Sequence, residues 1–145
     1  MATIEFKGIE AYQKKLEELG KRDAAKAIRY AIYPAADVVA DEIKKSVPVS
    51  DDPRTAGDLR DGLILTPMKD EDGFIHTTAT FAGYDHKGTP LPMIARTLES
   101  GRSTPEGKVG KHPFIRKAVD RVRKKAEGLM QTYLDRYLYE YMNRK

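Results

Sequence analysis

The sequence predicts an α+β domain, a small antiparallel β-sheet packed against a long kinked N-terminal helix and a long C-terminal helix. Three observations predict it. Residues 24–43 carry apolar side chains at helical spacing, residues 114–142 do so again, and residues 63–82 between them are β-rich with a turn signal in the middle. Each element has one apolar face, and the three faces can share a core. A chain of 145 residues is one domain's worth, so residues 1–145 read as a single domain.

The elements follow in order. "TIEFKGI" (3–9) alternates apolar and polar residues and reads as a short strand. Ile9, Tyr12, Leu16 and Leu19 then fall on one face of a helix, which Gly20 stops. Asp23 is placed to cap the next helix. Its stripe is Ala24, Ala27, Ile28, Ala31, Ile32, Ala35, Val38, Val39 and Ile43, ending near Ser46. Pro34 lies inside this helix and removes one backbone donor, so a kink is expected at residues 30–34. The many alanines point to close approach of another element.

"VPVSDDPRTAGD" (47–58) has the composition of a flexible loop, and "DLRDGL" (58–63) forms one helical turn or leads directly into a strand. "LILTPMK" (63–69) and "FIHTTATFAG" (74–83) are strands joined by a hairpin turn at "DEDG" (70–73). Ile75, Thr77, Ala79 and Phe81 share one face of the second strand, the buried one if helices cover the sheet on one side; Phe74, His76, Thr78 and Thr80 share the other. Pro67 belongs at an edge or a bulge. A turn-like stretch, "YDHKGTPLP" (84–92), precedes a short helix at 92–100 with Ile94 and Leu98 inward. A glycine-rich loop, 101–112, leads to Pro113, a favoured first-turn residue of the last helix. That helix carries Ile115, Val119, Val122, Ala126, Leu129, Tyr133, Tyr137 and Tyr141 in a stripe. Unbroken from Phe114 to Met142 it would run roughly 43 Å, long enough to extend beyond its own core. No internal repeat or low-complexity tract is present.

The loop 101–112, rich in glycine and basic residues, invites a phosphate-binding reading, and it fails. Counting from Gly101 puts Glu106 where the second glycine of a P-loop belongs, and Lys108 is followed by Val109 rather than a hydroxyl residue. Counting back from Gly110-Lys111 puts Pro105 at the first glycine and His112 at the Ser/Thr. The three histidines, His76, His86 and His112, are scattered, and no serine lies in a Gly-x-Ser-x-Gly elbow. The pairs Asp51/Asp52 and Asp70/Asp72 sit in loops, with no apolar pocket to raise a carboxyl pKa. No catalytic, cofactor or metal site is expected, and the protein is not expected to be an enzyme. There are no cysteines, so there is no disulfide framework and no thiolate metal site. No apolar run approaches the roughly 18 residues of a membrane span, and the N-terminus lacks the pattern of a signal peptide. Synthesis in a cytoplasm, without a membrane partner, is the expectation.

The net charge of +4 is unevenly placed. Residues 111–145 contain ten Lys/Arg and four Asp/Glu; residues 1–110 carry sixteen basic and eighteen acidic side chains. Arg116, Lys117, Arg121, Arg123, Lys124 and Lys125 crowd the last helix. They suit DNA phosphates, which makes a small basic DNA-binding module the alternative reading, or they form a solvated flank; no helix-turn-helix, zinc-finger or RNP pattern accompanies them. Tyr133, Tyr137 and Tyr141, flanked by Leu134, Leu138 and Met142, either pack on the domain's own sheet or form the core of an interface.

In order along the chain stand Pro48-Val49 after the long helix, "TAGDLRDGL" (55–63), "LESGRST" (98–104) and "KHPFIRKAV" (111–119). This order resembles the lambdoid-phage tail-component family, whose members serve as minor tail components, tail-completion or head–tail joining proteins. That family carries Thr-Gly-x-Leu-Arg before a hairpin, then Glu-x-Gly-Thr and His/Arg-Pro-Phe before a terminal amphipathic helix. Here Ala56 separates Thr55 from Gly57, and the "STPEGKVG" stretch is longer than the family's, which leaves the loop conformations open. The resemblance covers nearly the whole chain. It implies a structural virion protein of the neck or proximal tail that acts by assembly, a hexameric ring, neighbours among the head–tail connector and tail-tube or tail-terminator proteins, and only unspecific contact with DNA. In that setting the loop 101–112 is an arm folding against partner subunits. Arg102, Lys108, Lys111, His112, Pro113 and Phe114 would be contact residues, with Phe114 nearest the domain's own core, and Tyr133, Tyr137 and Tyr141 would touch a neighbouring chain.

Overall fold

The computed structural model describes residues 2–5, 13–71, 74–104 and 107–143, with backbone alone at 13–15, 102–104, 107–109 and 142. Its elements are β1 (Ala2–Glu5), α1 (Gln13–Leu19), α2 (Lys21–Ser46), α3 (Asp58–Asp61), β2 (Leu63–Leu65), β3 (Lys69–Glu71), β4 (Phe74–Phe81), α4 (Leu91–Ser100), β5 (Arg102–Thr104), β6 (Gly107–Val109) and α5 (Phe114–Met142). The architecture is α+β, with a small antiparallel sheet against two long helices, as the sequence predicts.

β4 is the centre of the main sheet. It pairs antiparallel with β1 (Ala2↔Ala79), β2 (Leu63↔Phe81) and β3 (Lys69↔His76). Its burial alternates along all of its length, with Ile75, Thr77, Ala79 and Phe81 buried and Phe74 exposed. The period-2 pattern in the sequence therefore marks the core face correctly. The buried Thr77 hydroxyl donates to the Thr66 carbonyl at 2.6 Å, so this polar group is satisfied. Between Leu65↔Ala79 and Lys69↔His76 the β2–β3 side advances four residues while β4 advances three. The extra residue is a bulge, and Pro67, which has no N–H to give a ladder, lies within it. Asp70 and Glu71, expected in the hairpin turn, are paired in β3 instead, while Asp72 and Gly73 lie outside the described residues, as do Ile9 and Tyr12 at the expected start of the first helix.

α1 ends at Gly20, whose φ of 83° few other residues adopt, and α2 starts directly after it. Asp23 is thus not the cap expected. It sits inside the first turn of α2, where a carboxylate complements the helix dipole. α2 continues as one helix through Pro34 to Ser46. Ala27, Ala31, Ile32, Ala35 and Ile43 on it are almost wholly buried, and the small side chains let the sheet and α5 approach its backbone.

α5 runs antiparallel to α2. Arg121 bonds to Glu42 near one end of the pair and Tyr141 to Asp23 at the other. Ile115, Ala118, Ala126, Met130, Leu134 and Leu138 form its buried line. Two expectations are corrected here. The buried stripe of the last half is Met130, Leu134 and Leu138 rather than Leu129, Tyr133, Tyr137 and Tyr141, which flank it half-buried. Tyrosine rings pack at such a margin and keep the hydroxyl in contact with water. Nor does α5 overrun its core: the 26-residue α2 covers it as far as Leu138, which is 3% exposed. In α4, likewise, Leu91 and Ala95 lie deeper than Ile94 and Leu98.

Candidate subunit-contact surface

The junction between α4 and α5 is built by one carboxylate and two backbone bonds. The Glu99 side chain accepts from the N–H of Ile115 at 2.9 Å and from the N–H of Arg116 at 3.0 Å. It thereby caps α5, whose own N-cap residue, Pro113, offers no side-chain acceptor. The N–H of Gly101 donates to Thr97 O at 2.7 Å and that of His112 to Leu98 O at 2.6 Å. Gly101 (φ 77°, ψ 170°) leaves the helix in a conformation essentially confined to glycine. Both ends of the segment 101–112 are thus held by the last turn of α4. Phe114 is 5% exposed and meets Phe81 edge-on, with ring centroids 6.0 Å apart. It anchors α5 in the core of its own chain and offers little surface to another.

Between those ends the chain forms an antiparallel ribbon, with β5 paired to β6 from Arg102↔Val109 to Thr104↔Gly107. The glycine-rich stretch expected as a loop is therefore largely extended and paired, because Arg-Ser-Thr and Lys-Val tolerate strand geometry where the glycines serve the ends. Arg102 and Lys108 occupy the two strands, and their side chains lie outside the described residues. Lys111 and His112 are exposed and Pro113 is half-buried at the base of the ribbon.

The tyrosines line the α2–α5 seam. Tyr133 and Tyr137 place their rings 5.5 and 5.6 Å from that of Tyr30, the guanidinium of Arg136 lies 4.8 Å over the Tyr133 ring, and the Tyr141 hydroxyl donates to Asp23 at 3.5 Å. All three tyrosines are half-buried. Tyr139, just off the seam, is 72% exposed, and Tyr33 is 60% exposed. The basic flank of α5 is partly engaged: Arg121 bonds to Glu42 at 2.8 Å and to the Ser46 hydroxyl, and Arg123 pairs with Asp120 at 3.3 Å.

Residues 50–58 and the turn 84–90 meet through two ion pairs that sequence reasoning missed. Asp58 accepts from the backbone N–H of His86 at 2.9 Å and bonds its ring Nδ1 at 2.7 Å. The bond to His86 holds the Asp58 carboxyl below its ordinary pKa, and the bond to Asp58 raises that of His86. Asp52 bonds Arg54 at 3.1 Å and pairs with Lys87; the Arg54 bond first and the Lys87 bond second push its pKa far below the usual carboxylate range. Partners this far apart in sequence leave no periodic signal. Beside this corner Val49, Leu91, Ile94 and Leu98 line a cavity of about 260 Å³. Among the described residues no three His, Asp or Glu side chains converge as metal ligands would, and no helix is long and apolar enough to cross a membrane.

The model of the HK97-gp10-like family, described as "Bacteriophage HK97-gp10, putative tail-component", matches residues 10–101 of this chain. No curated protein and no solved structure matches it. The family match takes in α1 to α4 and strands β2 to β4, and it ends at Gly101, just before the ribbon. Spanning well over half of the sequence, it establishes that this chain belongs to the HK97-gp10-like family of bacteriophage tail components.

Proposed function

We propose that the protein is a head–tail joining or tail-completion protein, seated at the neck or proximal tail and working as a ring of identical subunits. The family match over residues 10–101 carries the reading, since it makes the chain a structural phage tail component. The unequal charge of its two parts supports head-to-tail contact between unlike surfaces, the kind of contact that closes rings. The ribbon at 102–109, with Lys111 and His112 at its base, and the outer edges of Tyr133, Tyr137 and Tyr141 together with Tyr139 are the contact surfaces we assign. Six copies form the ring, and the connector on the head side and the tail-tube or terminator protein on the tail side are its neighbours. The DNA-binding alternative has less support, because Arg121 and Arg123 are held by Glu42, Ser46 and Asp120.

Two measurements test this. Native mass spectrometry is expected to show a six-fold multiple of the 16.3 kDa chain. A phage lacking the gene is expected to accumulate filled heads and separate tails that the purified protein joins. Normal joined particles without the gene would refute the role. A steep salt dependence of DNA binding by the purified chain would favour the alternative.

A further inference from the structure

The ribbon β5–β6 is a sheet of two three-residue strands, and among the described residues its only strand partners are each other. An isolated two-stranded ribbon is marginal in water at best, and its outer edges present N–H and C=O groups with no ladder to join. Its base, by contrast, is fixed by the bonds of Gly101 and His112 to α4 and by the Glu99 cap. The result is a short ribbon on a fixed base, with no sheet to join among the described residues.

Elsewhere the same chain has a sheet edge that lacks a strand. β1 is the outermost strand of the main sheet, and among the described residues no strand pairs with the far edge of Ala2–Ile4. A groove of about 450 Å³ runs between that edge and α5, floored by Ile4, Val39, Val119, Ala126 and Met130. The carboxylate of Glu127 stands on its rim, beside an Arg123 already paired with Asp120. The ribbon segment 102–111 supplies Arg102, Lys108 and Lys111 against the single acid Glu106, so the charges suit each other. The strand lengths are comparable, three residues against four.

Within one chain the two do not pair: among the described residues β5 and β6 pair with each other, and β1 pairs with β4. The geometry points to the β5–β6 ribbon of one copy adding as strands to the β1 edge of the next, over the Val39–Met130 groove. This rests on the ring reading above and names its contact. Backbone ladder bonds supply the attachment. Each copy donates a ribbon and accepts another, a head-to-tail arrangement that propagates until it closes.

The chain contains no cysteine, so disulfide mapping has no background. A Thr3→Cys chain is mixed in turn with single-cysteine chains substituted at Arg102, Ser103, Thr104, Gly107, Lys108 and Val109, and with Arg22→Cys, remote from the ribbon, as control. Each mixture is oxidised with copper phenanthroline and run on a non-reducing gel, while sedimentation reports the assembly state. The expected result is a heterodimer band at alternate ribbon positions, at least several-fold above the Arg22→Cys control. Chains that carry both Thr3→Cys and the best ribbon cysteine are expected to give a covalent ladder. Oligomers that sediment normally but cross-link no better than the control at all six positions would overturn the strand-addition contact and leave the ring intact. A chain that stays monomeric at every concentration would overturn both.

Discussion

The carboxylate of Glu99 accepts the backbone N–H of Ile115 at 2.9 Å. The last turn of α4 thereby caps the first turn of α5, sixteen residues on. Glu99 lies in "LESGRST" and Ile115 in "KHPFIRKAV", so two short marks that are weak separately are joined by a bond. Replacing Glu99 by Ala leaves the N–H groups of Ile115 and Arg116 without this acceptor. The expected loss is roughly 1–2 kcal/mol, read as a fall in the urea midpoint. Glu99→Gln, which keeps one acceptor oxygen, is expected to lose less.

Two glycines respond in opposite directions. A Cβ on Gly62 would lie 2.2 Å from Leu91 Cδ1 and 3.1 Å from the Ala82 carbonyl, and Leu91 is 3% exposed with little room to move. Gly62→Ala is expected to destabilise by roughly 1–3 kcal/mol. Gly128 lies on the exposed side of α5 with nothing within 4 Å of its Cβ position. Gly128→Ala is expected to stabilise by roughly 0.5–1 kcal/mol, because alanine restores helix propensity. Thermal melts of the two variants check both signs.

The Asp58–His86 pair makes stability depend on pH from both sides. His86 has its pKa raised from 6.5, so its contribution is full below that value and is lost as pH rises through the raised pKa. Asp58 has its pKa lowered from 3.8, so its contribution is full above that value and is lost as pH falls through the lowered pKa. Wild type is therefore expected to exceed His86→Ala most between about pH 4 and pH 6.5. Urea midpoints of the two proteins at about pH 5 and about pH 9 check this. An equal difference at both would show that the pair contributes nothing through charge.

Core and surface positions of the last helix separate cleanly. Leu134 is fully buried, and Leu134→Ala is expected to cost about 2–5 kcal/mol. Phe114→Ala, which removes the ring against Phe81, is expected to cost about 3–5 kcal/mol. Tyr139→Ser, at a side chain 72% exposed, is expected to leave the melting temperature nearly unchanged and to weaken assembly. Serine at Tyr133 and Tyr137 together would lower stability as well, through the lost contacts with Tyr30.

Elements with strong periodicity were legible in the sequence. The alternation of β4, the alanine stripe of α2 and the bulge at Pro67 follow from spacing and from the chemistry of one proline. The phase of α5 was not, because Leu129, Tyr133, Tyr137 and Tyr141 repeat at the same interval as Met130, Leu134 and Leu138. Which of two adjacent stripes faces inward is decided by the partner helix, which packs along α5 and leaves Met130, Leu134 and Leu138 buried. The geometry of the candidate surface was half legible. Glycines and basic residues marked the segment 101–112, but pairing between β5 and β6, the Glu99 cap and the Asp58–His86 pair all depend on which distant segments the fold brings together.

The antiparallel pairing of α2 with α5 also sets an order of events at the ribosome. Contacts within the pair join residues 79 and 118 positions apart, as in Glu42 with Arg121 and Asp23 with Tyr141. At ordinary elongation rates α2 is therefore complete on the order of 5–20 seconds before the helix that covers it. For that interval the alanine and isoleucine face of α2 has no α5 to bury it, and β4, which also packs on α2 and is made first, is its available cover.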